Sequence, residues 1–199
     1  MKKKESKFDK LTQKYPVVHM TATLLLLTAV VAFTLGFIYD RTAPIIKEIQ
    51  DKALYDAISL VIPGGDTAEE LEGFEWPKTV ERVLTVYDSG GGLLGYAVET
   101  TPNGFGGAIR VLTGVSPGGT VVGVTILDMK ETPNLGTKVR AEDFLDRFAG
   151  RESGMTMGRN PDEVQAISGA TVSSKAVFEG VKSAIAAVLQ ISTGGGDNE

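Results

Sequence analysis

A continuous apolar stretch lies near the start of the chain. Met20–Tyr39 contains no charged residue and includes four consecutive leucines, Leu24–Leu27. As an α-helix, this stretch rises about 30 Å, which matches the hydrocarbon core of a bilayer. It is longer than the roughly 7–15 apolar residues of a cleaved signal peptide and ends without a small-x-small cleavage site. A buried core helix is the alternative, but the pattern favours an uncleaved transmembrane helix at 20–39.

The charges are divided unevenly on the two sides of this stretch. Residues 1–19 carry six lysines and two acidic residues, a net charge of +4, whereas the other 180 residues sum to −9. A basic arm alone can bind nucleic acid, but directly before an apolar stretch it indicates a lipid bilayer. The positive-inside rule then keeps 1–19 in the cytoplasm and places everything after Tyr39 outside. We therefore expect a single-pass protein of the cell (inner) membrane.

The segment that follows has helical periodicity. The residues from Arg41 to Pro44 suggest a helix start with an early proline, and apolar residues then recur at helical spacing up to Val61. Pro63 and the two glycines after it end the pattern. We expect an amphipathic stalk at 40–65 that packs on the sheet of the next domain.

The remainder of the chain predicts an α+β domain at 66–192 with an antiparallel sheet and flanking helices. Residues 66–79 form a polar connection in this prediction, in which Trp76 is a packing residue, and 193–199 form a flexible tail. A short helix is expected at 140–149, a strand at Val164–Ile167, and a C-terminal helix, capped by Ser173 or Ser174, that runs to about Ile191. The main strands, separated by glycine-rich turns, are predicted at Val80–Tyr87, Leu93–Glu99, Ala108–Val115 and Thr120–Met129.

Composition limits the chemistry. The chain has no cysteine and a single histidine, His19. Disulfides, thiolate or imidazole metal clusters, a cysteine nucleophile and a serine triad are therefore excluded, and no metal site is predicted. Redox chemistry would need an organic cofactor.

Two motifs are candidates for binding such a cofactor. Ser168–Ser174 places small and hydroxylated residues at the mouth of the last helix, where free amides and the helix dipole suit a phosphate. A serine-rich helix cap is the alternative. Glu131–Thr137, behind a strand, and Gly104–Gly107 either form turns or let the backbone approach a flat ligand.

These motifs resemble a known family. Glu-Thr-Pro-x-Leu-Gly upstream of Ile-Ser-Gly-Ala-Thr-x-Ser-Ser, behind one membrane anchor, is similar to the FMN-binding domain family, most closely to the G subunits of Rnf electron transport complexes. The resemblance implies FMN attached covalently, through a phosphoester, to the hydroxyl of Thr171 by a flavin transferase. It implies further cofactor contacts at Ser168, Gly169, Ala170, Ser173, Ser174, Glu131, Thr132, Leu135, Gly136, Thr137, Gly106 and Gly107.

The implied function is electron relay, without independent turnover or a catalytic residue, in an ion-translocating oxidoreductase complex. Such complexes move electrons between ferredoxin and NAD and couple this to sodium or proton translocation. The chain has no dinucleotide fingerprint, so NAD and ferredoxin would react on other Rnf subunits. Two alternatives stay open: the C subunit of a sodium-pumping NADH:quinone oxidoreductase, and a membrane-tethered scaffold without redox activity.

Two positions depart from the family pattern. Gln165 stands where related flavinylation sites commonly have aspartate, six residues before the modified threonine. The lost charge could weaken recognition by the transferase. Asn134 stands where many relatives have glycine, a milder change because asparagine tolerates left-handed backbone conformations.

Overall fold

The computed structural model describes residues 16–194. The basic arm predicted at 1–19 and the tail predicted at 193–199 lie largely outside these residues. The chain divides between Gln50 and Asp51 into two compact units, which are described separately. The division falls inside the stalk predicted at 40–65.

In the first unit, the residues that the structure describes are helical. Helix α1 (Pro16–Val61) begins in this unit and contains Pro44 in its interior, so the helix start predicted near Pro44 is wrong. Proline lacks an amide hydrogen and costs one backbone hydrogen bond, but it does not end this helix. The large apolar side chains of 20–39 are exposed throughout, as a bilayer-facing surface requires. Threonine hydroxyls donate back to the helix, as Thr21 does to the Val17 carbonyl at 2.9 Å and Thr34 to that of Val30 at 2.8 Å.

Two helices of the described chain are long and apolar enough to span a bilayer. One is α1, whose apolar stretch has no part buried. The other is α3 (Thr171–Gly194), of which half of the apolar stretch is buried within the protein. Burial of this kind is typical of a core helix in a water-soluble domain. These features are consistent with a single membrane anchor at the N-terminus.

The second unit is built on a sheet of five antiparallel strands in sequence order. Each strand pairs with its neighbours in the chain, as in the register Thr85↔Tyr96 between the second and third strands. The predicted α+β architecture with an antiparallel sheet is confirmed. The strands are β1 (Thr67–Glu70), β2 (Val80–Tyr87), β3 (Leu93–Thr100), β4 (Ile109–Val115) and β5 (Val121–Met129).

Helices cover both faces of this sheet. The end of α1 buries Leu54, Ile58 and Val61 against one face, as expected for the end of the stalk. On the other face, α3 buries side chains such as Val181 and Ile185. Between β5 and α3 the chain forms short helical pieces: a 3₁₀-helix at Gly136–Arg140, α2 (Glu142–Leu145) and a second 3₁₀-helix at Asp146–Phe148.

In the second unit, four local predictions differ from the structure. Strand β1 lies in the expected polar connection; most of its side chains are exposed at the sheet edge, so no apolar alternation signals it. The single helix expected at 140–149 is broken, because Ala141 is extended between the first 3₁₀-helix and α2. No strand forms at Val164–Ile167, where buried Val164 makes only an isolated bridge to Met157. Helix α3 begins at Thr171 and extends to Gly194, so the serines expected to cap it lie within its first turn.

Trp76 packs as expected. Its ring stacks on Phe74 with a centroid separation of 5.0 Å, and it lies against a core cluster that includes Val188.

Candidate functional site

Glu131 is the centre of the site, since its side chain connects three segments. It follows strand β5 and is only 8% exposed. Its Oε1 accepts the backbone N–H groups of Phe105 at 2.8 Å and Gly106 at 3.1 Å. Its Oε2 accepts the hydroxyl of Ser173 at 2.9 Å. The carboxylate therefore holds together the loop before β4, the loop after β5 and the first turn of α3.

Glycines make room for this buried carboxylate. A Cβ at Gly104 would collide with Oε1 of Glu131, and one at Gly136 would collide with Oε2. The Cβ at Gly136 would also lie 3.0 Å from the Ser173 hydroxyl. Side chains at these two positions would displace Glu131 from its hydrogen-bond partners.

The start of α3 presents Thr171 to solvent. Gly169 has φ of +80°, a left-handed conformation that turns the chain into the helix. Thr171 is exposed, whereas Ser173 and Ser174 are buried. The first amides of an α-helix lack acceptors within the helix and can bind an anion.

A first cleft of about 300 Å³ opens beside Thr171. Three apolar side chains stand at this cleft and remain exposed: Phe105 at 74%, Leu135 at 49% and Val172 at 52%. Its surface is mostly apolar and suits a flat ring. The lining residues are Phe105, Glu131, Thr132, Leu135, Gly136, Gly169, Ala170, Thr171, Val172 and Ser173.

A second cleft of about 450 Å³ lies next to the first and shares Gly169 and Thr171 with it. Its surface is more polar, and an exposed arginine, Arg159, contributes to it. The other lining residues are Met157, Gly158, Gln165, Ala166, Ile167 and Ser168.

Two arginines hold the loop that leads into α3, and part of this loop lines the second cleft. Arg147 Nη1 donates to the Gln165 carbonyl at 2.9 Å, and Arg151 Nη1 donates to that of Asp162 at 2.5 Å. The Arg147 guanidinium also lies 5.5 Å from the ring centre of Phe144. These contacts connect Arg147 in the second 3₁₀-helix, and Arg151 shortly after it, to the loop that leads into α3.

The structure brings most of the residues implied by the resemblance together. Eight of them line the first cleft, and Ser168 lines the second. Gly106 reaches the site through its hydrogen bond to Glu131. The others line neither cleft: Thr137 Oγ1 accepts the Asn134 amide, Ser174 Oγ accepts the Ile167 amide, and the Gly107 carbonyl accepts the Gly104 amide.

Phe105 and Val172 are cleft residues that the sequence motifs did not reveal. Phe105 lies inside a run of glycines, where a turn needs no large side chain. The presence of an aromatic residue there could have indicated a ligand contact. Val172 occupies the position marked x in the motif Ser-Gly-Ala-Thr-x-Ser-Ser. Its place at the cleft could be known only once the helix was seen to begin at Thr171. Asn134, expected to tolerate a left-handed conformation, has φ of 61°.

Comparison with known proteins identifies the family. Residues 104–186 match the model of the FMN-binding domain. The G subunit of the ion-translocating oxidoreductase complex of Methanosarcina acetivorans is 30% identical over 174 residues, covering 85% of this chain and 93% of its own. The G subunit of the Na(+)-translocating ferredoxin:NAD(+) oxidoreductase complex of Acetobacterium woodii is 33% identical over 179 residues, covering 81% and 86%. The chain belongs to the family of G subunits of ion-translocating oxidoreductase complexes. The family resemblance drawn from the motifs is confirmed.

Among solved structures, Shewanella oneidensis NqrC matches with a TM-score of 0.46 and 25% identity, over 51% of this chain and 53% of that one. In the present chain, the match to the FMN-binding domain begins at Gly104 and ends within α3, so it spans both sides of the first cleft.

The residues present fit FMN. The apolar cleft can take the ring, and the exposed Thr171 hydroxyl and the helix amides stand where a phosphate can reach them. Gly169 and Ala170 add no bulk beside Thr171.

Proposed function

We propose that the chain carries FMN linked through its phosphate to the Thr171 hydroxyl and relays electrons within a ferredoxin:NAD oxidoreductase complex. The complex would couple this transfer to sodium or proton translocation. The observation that carries the proposal is the position of Thr171, which is exposed and shared by both clefts at the start of α3. FMN, when bound, supplies a ring that takes up and releases one or two electrons.

The chain's own residues would bind and orient this cofactor. A phosphate on Thr171 would lie at the positive end of α3, which favours an anion. Phe105, Leu135 and Val172 would contact the ring and exclude water from part of it, because their exposed apolar surfaces face one cleft. Glu131 would hold the two sides of the cleft at a fixed separation.

The relatives favour ferredoxin-linked chemistry over the quinone-linked alternative. The Acetobacterium woodii protein is named for a sodium-translocating ferredoxin:NAD(+) oxidoreductase complex. The corresponding Clostridium ljungdahlii protein, 27% identical over 88% of this chain, is named for a proton-translocating one. These names support the proposed complex and leave both coupling ions open. The proposed partners are the other Rnf subunits, the lipid bilayer and, during maturation, a flavin transferase.

The attachment site is tested by mass spectrometry of the peptide Ser168–Lys175 from the full chain, produced with a flavin transferase. We expect the mass of FMN on the wild-type peptide and none on the Thr171→Ala peptide. Thr193→Ala is the matched control, because Thr193 also lies in α3 but its hydroxyl donates to the Leu189 carbonyl. FMN that persists in Thr171→Ala, or that maps to Ser173 or Ser174 in the wild type, would contradict the assignment.

We propose that the N-terminus is cytoplasmic and that the flavin domain lies outside the cytoplasm. The charge difference across the apolar stretch supports this orientation. A reporter that is active only outside the cytoplasm should be active after Glu199 and inactive at the N-terminus. The reverse pattern would refute the orientation without affecting the flavin assignment.

A further inference from the structure

We infer that the buried charge of Glu131 lowers the reduction potential of the flavin in the first cleft. This inference rests on the function proposed above. It assigns Glu131 an electrostatic role in addition to its structural one. Its basis is a contrast between two buried carboxylates of the same domain.

Glu99 and Glu131 are both nearly inaccessible, with exposures of 2% and 8%. Glu99 is neutralised by cations: its Oε2 lies 3.2 Å from Arg82 Nε, and its Oε1 lies 2.5 Å from Arg110 Nη2. Among the described side chains of the second unit, no lysine or arginine forms an ion pair with Glu131. Its three hydrogen-bond partners are neutral groups. The negative charge of Glu131 is therefore hydrogen-bonded but not compensated by a cation.

An uncompensated buried charge is costly, and the domain has neutralised its other buried carboxylate. Two backbone amides, which can only donate, point at Oε1 of Glu131, and a carboxylate oxygen can accept both. Hydrogen bonds from neutral donors reduce the field of this charge but do not remove it.

The charge of Glu131 lies beside the proposed flavin site. Glu131 lines the wall of the first cleft, where the flavin ring is proposed to bind. Reduction adds electrons to that ring, and a nearby carboxylate in a poorly solvated site opposes the added negative charge. The positive end of α3 acts in the opposite direction near Thr171. The reduced flavin is thereby less stable than it would be beside a neutral side chain.

Glu131→Gln removes the charge and can keep the geometry. The glutamine oxygen can accept the amides of Phe105 and Gly106, and its NH₂ group can donate to the Ser173 hydroxyl. In full-length flavinylated protein titrated with dithionite against a reference dye, we expect the equilibrium constant for one-electron reduction to rise about tenfold. This corresponds to about 59 mV. Glu179→Gln, on the exposed side of α3, makes the same change in net charge and should leave the potential unchanged.

Ser173→Ala provides a second variant of opposite sign. It keeps the charge and removes one hydrogen bond that stabilises the carboxylate, so the same constant should fall about threefold. This variant also serves if Glu131→Gln fails to fold. A Glu131→Gln potential equal to that of the wild type, or a Ser173→Ala potential at or above it, would overturn the inference.

The outcome separates the two proposals. A wild type that carries no flavin in the presence of a transferase would overturn the proposed function together with this inference. A flavin-bearing wild type with an unshifted Glu131→Gln potential would overturn this inference alone.

In flavin-free protein, NMR should show slow amide exchange at Phe105 and Gly106 in the wild type and in Glu131→Gln, and fast exchange in Glu131→Ala. Fast exchange in Glu131→Gln would show that the geometry was lost, and Ser173→Ala would then decide the inference.

Discussion

The two clefts that meet at Thr171 are held in place by opposite chemistry. The first depends on a carboxylate, Glu131, that accepts hydrogen bonds from backbone amides and a serine. The loop that lines much of the second is held by two arginines, Arg147 and Arg151, that donate to backbone carbonyls. A carboxylate accepts hydrogen bonds from free backbone N–H groups, and a guanidinium group donates to free backbone C=O groups. Each therefore pairs with loop backbone groups that the sheet leaves without a partner. The walls can therefore be perturbed one at a time.

The largest effect is expected from Phe148→Ala. Phe148 is fully buried and makes an edge-to-face contact with Phe144 at 5.4 Å, within the helical pieces that carry Arg147. The cavity should lower the free energy of unfolding by about 3–5 kcal/mol. Chemical denaturation of the full chain in detergent measures this loss. A loss below about 1 kcal/mol would mean that the arginine-bearing wall does not depend on this core.

Gly136→Ala should act on the first cleft alone. The added methyl group would push against Glu131 and Ser173, at a cost of about 1–3 kcal/mol. Flavin content per protein, read from absorbance, should fall as well. Gly154→Ala is the matched control, since its added Cβ would meet no atom within 4 Å. Equal behaviour of the two variants would argue against a tightly packed carboxylate.

Arg147→Ala should loosen the second cleft. It removes the hydrogen bond to the Gln165 carbonyl and the contact with Phe144, a loss of about 1 kcal/mol. Hydrogen exchange of residues 158–168 should accelerate while that of Phe105 and Gly106 stays slow. Arg140→Ala changes an exposed arginine of the neighbouring 3₁₀-helix and serves as the control. Faster exchange at both clefts would show that the walls are coupled.

The smallest change in stability is expected from Phe105→Ala. Its side chain is 74% exposed, so the free energy of unfolding should change by less than about 0.5 kcal/mol. The bound flavin should nevertheless become more accessible, which iodide quenching of its fluorescence measures. Leu93→Ala, at an exposed position in β3, should leave quenching unchanged. Unchanged quenching in Phe105→Ala would place the ring away from this side chain.

The pattern of apolar residues was sufficient to predict the strands and the helix in which that pattern is regular. Strands β2 to β5 and helix α3 have regular apolar positions and clear turns, and their predicted bounds differ from the observed ones by a few residues. Edge strand β1 has no such pattern because little of it is buried. Val164 is buried by tertiary packing, but it pairs with Met157 only in an isolated bridge and not in a strand ladder. The short apolar run at Val164–Ile167 was therefore mistaken for a strand.

The motifs of the site could be predicted from the sequence, but the hydrogen bonds that join its residues could not. The sequence placed Glu131 and Ser173 in two separate motifs, 42 residues apart, with no local signal of a shared hydrogen bond. The arginine support of the second cleft was missed for the same reason. Arg147 and Gln165 are 18 residues apart, and the acceptor is a backbone carbonyl that any residue could supply.

The strand order has a consequence for the sequence of events during folding. Every strand pairs with a neighbour in the chain, so the sheet consists of local contacts that form quickly. Helix α3 comes last and packs back on β2, β3 and β4. Thr171 reaches its place between the clefts only when this final element docks. On the proposed function, flavin attachment would then report that a chain has finished folding, and a chain truncated within α3 would stay unmodified.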